Sequence, residues 1–408
     1  MIKSKNIFKT VLQLSLLVII GPLAMDMFIP ALPELLVEFK SSQVMIQQTL
    51  NIFIISGAVA KLIIGPISDK FGRKKVAICG IIIFLLGSYV CVESYTIMQL
   101  YTGRLIQAFG SSSALISAFA IVRDKYSGKE SAKVYSYLNG AIGFSPIFAP
   151  AIGSWLDITF GWRTIFIALG ILGCITLLII LFFIKETLNN CQKSNFSYPI
   201  LVSMRQIVSS GEFIKYTIAA GCGFGYLFTF FSISPYILQG ILNVSKSMFG
   251  LWFSVMGIAS FIGSILCANI VGRLGTEKTV YIGMFLTFSG SAIMLICNLV
   301  FGLSIPVFIM PMILIGVGAT FAMGAGASGA LEKFPEIAGT AASLFCCYQF
   351  LIGVLIGTIA TCWEVTSSLP LAVPVIVCSL CVIGLFSRQT IWSLINSSHT
   401  DCEKFVSD

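Results

Sequence analysis

Two ionisable side chains, Asp26 and Arg104, lie deep inside long apolar runs of the sequence. A charge held there is costly in a bilayer and marks a functional group by default. Asp26 shares its helical face with Pro22, Pro30 and Pro33. Pro30 has no N–H to give the carbonyl of residue 26, so polar backbone is freed beside the carboxyl group. Removed from bulk water, that carboxyl is a candidate proton carrier near physiological pH; the alternative is an aspartate paired permanently with a buried cation. Arg104 continues along one face through Gln107, Ala108 and Ser111. A guanidinium does not release its proton, so its chemistry is electrostatic, or else it is a structural hydrogen-bond donor. Both readings stand at this level.

Other chemistries find no residues to carry them. The single histidine, His399, sits in a polar C-terminal stretch, which excludes a histidine-ligated zinc site and a Ser-His-Asp triad. The 13 cysteines are scattered, mostly inside apolar runs, as small packing residues would be. Cys378 and Cys381 form a CxxC, but in the middle of the last apolar run. No metal site is expected. Gly221-Cys222-Gly223-Phe224-Gly225 also lies within an apolar run, so it reads as packing and not as a nucleotide fingerprint. No cofactor, no ATP drive and no enzyme activity are expected.

The elements that position Asp26 and Arg104 follow from composition. Hydrophobic residues make up 57% of the 408 and charged residues 10%, and the mean hydropathy is +0.96. A soluble domain carries about 25% charged residues, so this chain cannot clothe a water-facing surface. Apolar runs predict twelve segments at 8–32, 45–65, 75–93, 96–120, 134–156, 162–184, 213–237, 247–270, 279–299, 303–328, 339–362 and 369–388. Each is long enough to cross a bilayer as a helix. The runs lack strand alternation, so an all-α integral membrane protein is predicted, with the lipid bilayer as its first partner. The first run continues past Leu32 without a small-residue cleavage site, so no cleaved signal peptide is expected.

Charge then orients the chain. With the N-terminus in the cytoplasm, 20 of the 25 Lys and Arg residues fall on the inner side, and only Lys40, Arg163 and Lys246 on the outer side. That asymmetry predicts cytoplasmic termini and an even number of helices. It also accounts for the net charge of +8 without a nucleic-acid partner. The longest polar interval predicts two six-helix bundles, 1–184 and 213–390, joined by a cytoplasmic linker at 185–212 and followed by a cytoplasmic tail at 391–408. An internal echo supports duplication: Lys70-Phe71-Gly72-Arg73-Lys74 after the second segment, and Arg273-Leu274-Gly275 after the eighth, 203 residues on. Six plus six helices is the layout of transporters that rock two halves about a midplane site.

Gly65-Pro66-Ile67-Ser68-Asp69-Lys70-Phe71-Gly72-Arg73-Lys74-Lys75 resembles the signature loop between helices two and three of the major facilitator superfamily. The resemblance implies a cytoplasmic latch built on Gly65, Asp69, Gly72 and Arg73, with Asp69 facing the N-terminus of the eleventh helix near Gly339. Gly140, Gly143, Pro146, Pro150 and Gly153 share one face of the fifth segment, where small residues admit a close neighbour and prolines bend the helix. They resemble the antiporter motif of drug-exporting facilitators. Three further stretches are similar to the Bcr/CflA drug-resistance branch: Asp26–Pro33, Ser234–Gln239, and Ala330–Pro335 followed by Ala338–Ala341. Arg104 resembles that family's fourth-helix arginine, which implies a part in proton exchange.

Two positions depart from the pattern. Gly272 stands in the second half where the first has Asp69, so a latch there lacks its acid. Lys61 replaces what is usually a neutral polar residue. It is expected to snorkel to the surface; the alternative is an added charge lining the cavity, which would disfavour cationic substrates. Gln47, Asn51, Gln107, Asn139, Tyr226 and Tyr236 are candidate cavity residues. The resemblance implies a monomeric bacterial inner-membrane antiporter that uses the proton gradient, through Asp26 and Arg104, to export lipophilic drugs or similar small molecules. The alternative is a facilitator that exports a specific metabolite such as a siderophore, or imports a nutrient.

Overall fold

A computed structural model describes the backbone of residues 2–126, 128–187, 200–334, 337–363, 365 and 367–406. Side chains are described from Phe8 to Ser387, apart from residues 128, 129, 131, 132, 200–203 and 338 and the backbone gaps. Of the expected linker, residues 188–199 lie outside this range, as do Pro335 and the side chains of the expected tail.

Among the described residues, twelve helices are long and apolar enough to cross a membrane. They are α1 (Phe8–Glu38), α2 (Gln43–Phe71), α3 (Arg73–Val92), α4 (Ile97–Lys125), α5 (Lys133–Phe160) and α6 (Arg163–Phe183), then α7 (Gly211–Ile241), α8 (Lys246–Leu274), α9 (Thr276–Phe301), α10 (Ile305–Leu331), α11 (Gly339–Thr361) and α12 (Leu369–Ser387). All twelve coincide with the apolar runs. Several continue several residues beyond them, because a helix leaving lipid keeps its internal hydrogen bonds and tolerates polar side chains in water. Polar caps fix other boundaries. Ser42 accepts the Met45 N–H, Thr96 and Gln99 form a capping box, and Ser245 accepts the Met248 N–H; each satisfies a backbone donor the helix leaves free.

Helix α1 is interrupted. Its regular part ends at Asp26, a short 3-10 turn covers Ile29–Ala31, and the helix resumes at Leu32. Across the break the pairing tightens: Met27 N–H reaches the Leu23 carbonyl at 3.0 Å, but Phe28 N–H reaches only back to Met25, at 3.3 Å. Pro30 and Pro33 start the two following turns, where a missing N–H matters least.

The duplication is visible in the packing. Gly72 and Gly275 both terminate a helix with positive φ, +104° and +81°, a conformation that favours glycine. At the same 203-residue offset, Gly80 lies against α4 at the Gly110 carbonyl, and Gly283 against α10 at the Gly318 carbonyl. The α3–α4 and α9–α10 pairs are therefore one packing motif used twice. The two halves meet along α5–α8 and α2–α11, which are counterpart pairs under the same repeat.

Candidate functional site

The two ends of the molecule are built differently, and Asp26 lies towards the sealed one. At that end side chains cross between the halves. Gln47 donates to Ser232, Gln239 donates to the Pro30 carbonyl at 3.1 Å, and Lys246 donates to Glu34 and, at 2.7 Å, to the fully buried Asp157. Arg163 pairs with Glu38 beside them at 2.7 Å. Deeper in, Asn51 donates to Thr358 at 3.0 Å. Along the α5–α8 contact, Gly250 lies against Ala151, and Gly257 against the Pro146 carbonyl. Ser254 donates to the Ile147 carbonyl.

At the other end, which carries the 65–75 loop, a cavity of about 490 Å³ lies between the halves, lined in part by Lys61, Asp69, Arg123, Tyr135, Thr340 and Ser343. The described ion pairs here stay within one half. Asp69 receives Arg73 at 2.6 Å and Arg123 at 3.2 Å, and Arg73 also reaches Asp124 at 3.0 Å. In the second half Lys333 pairs with Glu212 at 2.6 Å.

Asp26 is 3% exposed. The Ser145 hydroxyl, on α5, donates to its Oδ2 at 2.7 Å. Among the described residues no Lys or Arg stands within ion-pair distance of it, so the permanently paired aspartate is not what this conformation holds. Arg104 is fully buried but is turned elsewhere. One of its nitrogens donates to the Ala24 carbonyl at 2.9 Å and to Gln107 at 2.7 Å, and Gln107 passes the contact on to Ser88 at 2.9 Å. The guanidinium lies 4.1 Å from the Phe53 ring centroid and 4.8 Å from that of Phe28. Its Nε and Nη2 find no acceptor among the described groups. Arg104 thus grips α1 on both sides of the break, at Ala24 and at Phe28, and holds the local shape in which Asp26 sits.

The loop motif is placed as a cluster. Asp69 is taken up by Arg73 and Arg123, and the cavity lies between it and Gly339, so the expected contact with the start of α11 is not made in this conformation. Gly72 leaves room for Glu186, whose carboxylate accepts the N–H groups of Arg73 and Lys74 at 2.9 Å and 3.1 Å and so caps α3. Gly65 has open space around it, and so does Gly272.

The α5 face is divided. Gly153 lies tightly against the Met27 carbonyl at the α1 break, but a Cβ added at Gly140 would meet no described atom within 4 Å, and one at Gly143 only the Phe261 ring, at 3.7 Å. Pro146 offers its carbonyl to α8, and the glycines that permit this approach are Gly250 and Gly257 on α8. Pro150 is half of the pair of prolines interior to α5.

None of Gln47, Asn51, Gln107, Asn139, Tyr226 and Tyr236 is among the residues lining the cavity. Gln47 and Asn51 bridge the halves, Gln107 serves Arg104, and Tyr226 is buried against Ser379 within the second half. Tyr236 is buried and Asn139 exposed. Lys61 corrects its snorkelling expectation: it lines the cavity, with its ammonium 3.9 Å over the Phe350 ring of α11.

Sequence reasoning missed Ser145, the α8 glycines and the Lys246–Glu34–Asp157 cluster. The last left a signal. Lys246 is one of only three cations expected on its side, and its side also carries Glu34, Glu38 and Asp157.

Comparison with known proteins is consistent along the chain. The family model described as Major Facilitator Superfamily matches residues 14–358. The chloramphenicol resistance protein of Pseudomonas aeruginosa is 32% identical over 392 residues, covering 95% of this chain and 86% of that protein. A bicyclomycin resistance protein homologue of Haemophilus influenzae is 27% identical over 371 residues, covering 90% and 93%. Among solved structures, a D-xylose–proton symporter aligns with a TM-score of 0.73 at 14% identity, over 92% of this chain and 97% of that one. The nucleoside transporter NupG aligns with a TM-score of 0.75 at 13% identity, over 92% and 100%. At such identities the structural likeness speaks for the fold.

Proposed function

The chain belongs to the Major Facilitator Superfamily, a family of transporters and not enzymes, and on that premise we propose that it is a proton-coupled antiporter exporting lipophilic drugs or similar small molecules. The lysine and arginine asymmetry supports placing the cavity end and both termini in the cytoplasm of a bacterial cell, with the chain crossing the inner membrane. The conformation then faces inward. The names of the relatives, resistance proteins for chloramphenicol and bicyclomycin, support the direction of transport and the kind of cargo.

The observation that carries the coupling is Asp26. It is buried at a helix break, touched by one hydroxyl and by no described cation. A carboxyl group without a fixed counter-charge can take up and release a proton as its surroundings change. Ser145 ties it to α5, the helix that also forms the α5–α8 contact, so its protonation state is linked to the element about which the halves move. In the outward-facing state a proton enters at Asp26 and cargo leaves; in the inward-facing state the proton leaves and fresh cargo resets the cycle. Arg104 positions the break and does not carry the proton.

The test is transport in everted membrane vesicles with a panel of drugs, with and without a pH gradient. The expected result is gradient-driven uptake of at least one lipophilic compound, accompanied by substrate-triggered proton release. Asp26→Asn should reduce both to the level of vesicles lacking the protein. An Asp26→Asn variant that still drives proton-dependent transport sinks the assignment. Uptake confined to one polar metabolite would replace the drug reading with a dedicated exporter.

A further inference from the structure

Lys61 is the cation that the proposed mechanism leaves unused. It lies on α2 ten residues before the last helical residue, Phe71, or about 15 Å along the axis. The side chain does not run out along the helix; its ammonium turns into the cavity. The other cations around the cavity are committed: Arg73 to Asp69 and Asp124, Arg123 to Asp69. No described carboxylate stands within ion-pair distance of Lys61. Its ammonium rests instead on the face of Phe350, across the gap between the halves.

Phe350 is half-buried, meets the cavity through Lys61, and ends an aromatic run. Its ring centroid is 4.8 Å from that of Phe224, which stacks at 6.1 Å and 7° on Phe228. The run follows α7 and α11 from the cavity towards the middle of the molecule. An aromatic face beside a drug-sized cavity attracts organic cations through the negative potential of the ring. A cavity of about 490 Å³ is of the size that takes such ligands. Here the face already holds a cation, and that cation is covalently tethered.

We propose that Lys61 acts as a built-in occupant of an organic-cation seat on Phe350, so that the transporter rejects lipophilic cations and accepts neutral or anionic cargo. A cationic ligand must both displace the ammonium from the ring and tolerate its charge nearby. A neutral ligand meets only the first demand, and an anionic one gains from the second. The inference rests on the exporter reading for the identity of the cavity as the cargo site, but its test is a binding measurement and needs no pH gradient.

The test uses the purified full-length protein in detergent and two probes, the cation tetraphenylphosphonium and neutral chloramphenicol. The readout is the ratio of their affinities. Lys61→Gln should raise the ratio in favour of the cation by about ten-fold or more, as loss of a competing cation over one ring predicts. Lys61→Arg should leave the ratio at its wild-type value. Phe350→Leu added to Lys61→Gln should cancel the gain. Lys61→Met serves as the second neutral variant should glutamine compromise folding, monitored by size exclusion and thermal unfolding. A ratio unchanged in both neutral variants, or a gain that survives Phe350→Leu, overturns the proposal, as does a failure of the neutral variants to bind the cation at all. Loss of proton-driven transport with the ratio shift intact would instead strike the antiport reading and leave the seat standing.

Discussion

The two ends of this molecule use polar side chains in opposite ways. At the sealed end the bonds run between the halves: Gln47 to Ser232, Gln239 to Pro30, Lys246 to Glu34 and Asp157. At the cavity end the described ion pairs close on themselves within one half, as Asp69 does with Arg73 and Arg123. The first kind must break for the molecule to change state. The second kind can persist through the change. Only interactions that differ between two states shift their equilibrium, so on the proposed rocking of the halves the sealed-end bonds are expected to weigh most on the balance and the cluster around Asp69 least.

That contrast can be broken at graded cost. The largest effect is expected at the α5–α8 contact. Gly257→Leu forces a side chain against the Pro146 carbonyl, which a Cβ alone would meet at 2.9 Å. Overpacking of this kind costs about 1–3 kcal/mol, all of it on the state sealed as here. Transport in everted vesicles should fall by at least about ten-fold, and spin-label distances between α2 and α7 at the sealed end should lengthen. Wild-type rates would show that the contact is not needed.

A smaller effect is expected from Lys246→Ala. It strands Asp157, whose side chain has no solvent exposure, and releases Glu34. Because Lys246 is itself 27% exposed, the loss is put at about 1–2 kcal/mol, below the value for a fully buried pair. The same spin-label pair should report a rise in the outward-open population. Unchanged distances would mean that the cluster fastens nothing.

Asp69→Asn should do least to the balance. Asp69 is 31% exposed, its pairs are worth about 0.5–1 kcal/mol, and Arg73 keeps Asp124. The midpoint of thermal unfolding should move by only a few degrees while sealed-end distances stay fixed. A large change in those distances would show that Asp69 takes part in the switch after all, as the expected contact with the start of α11 demands.

What the chain announces in advance follows from the range of the interactions. Helix positions are legible because apolar length alone decides them, and the Asp26 break because Pro30 acts four residues away. The partner of Asp26 is not legible, since Ser145 is 119 residues distant and one serine among many in the apolar runs. The α8 glycines escaped for a related reason: close approach needs small residues on only one of two surfaces, and the motif on α5 drew attention to the wrong one. Arg104 was read correctly as buried, but its choice of the Ala24 carbonyl over the Asp26 carboxyl depends on side-chain direction across a helix interface. The place of Lys61, four residues before the end of the predicted run 45–65, favoured snorkelling, but α2 continues to Phe71 and the side chain turns into the cavity.

The α5–α8 contact has a mechanical consequence. From Gly250 to Phe261 α8 lies on α5 over about 16 Å, with small residues at the closest points and a single described hydrogen bond, from Ser254, across that stretch. A surface of this kind has little relief. Side chains that interlock would resist rolling and click between notches, whereas bare backbone lets one cylinder turn on another with a nearly even resistance. If the halves rock as proposed, this seam is their bearing, and its smoothness sets how much motion at one end reaches the other.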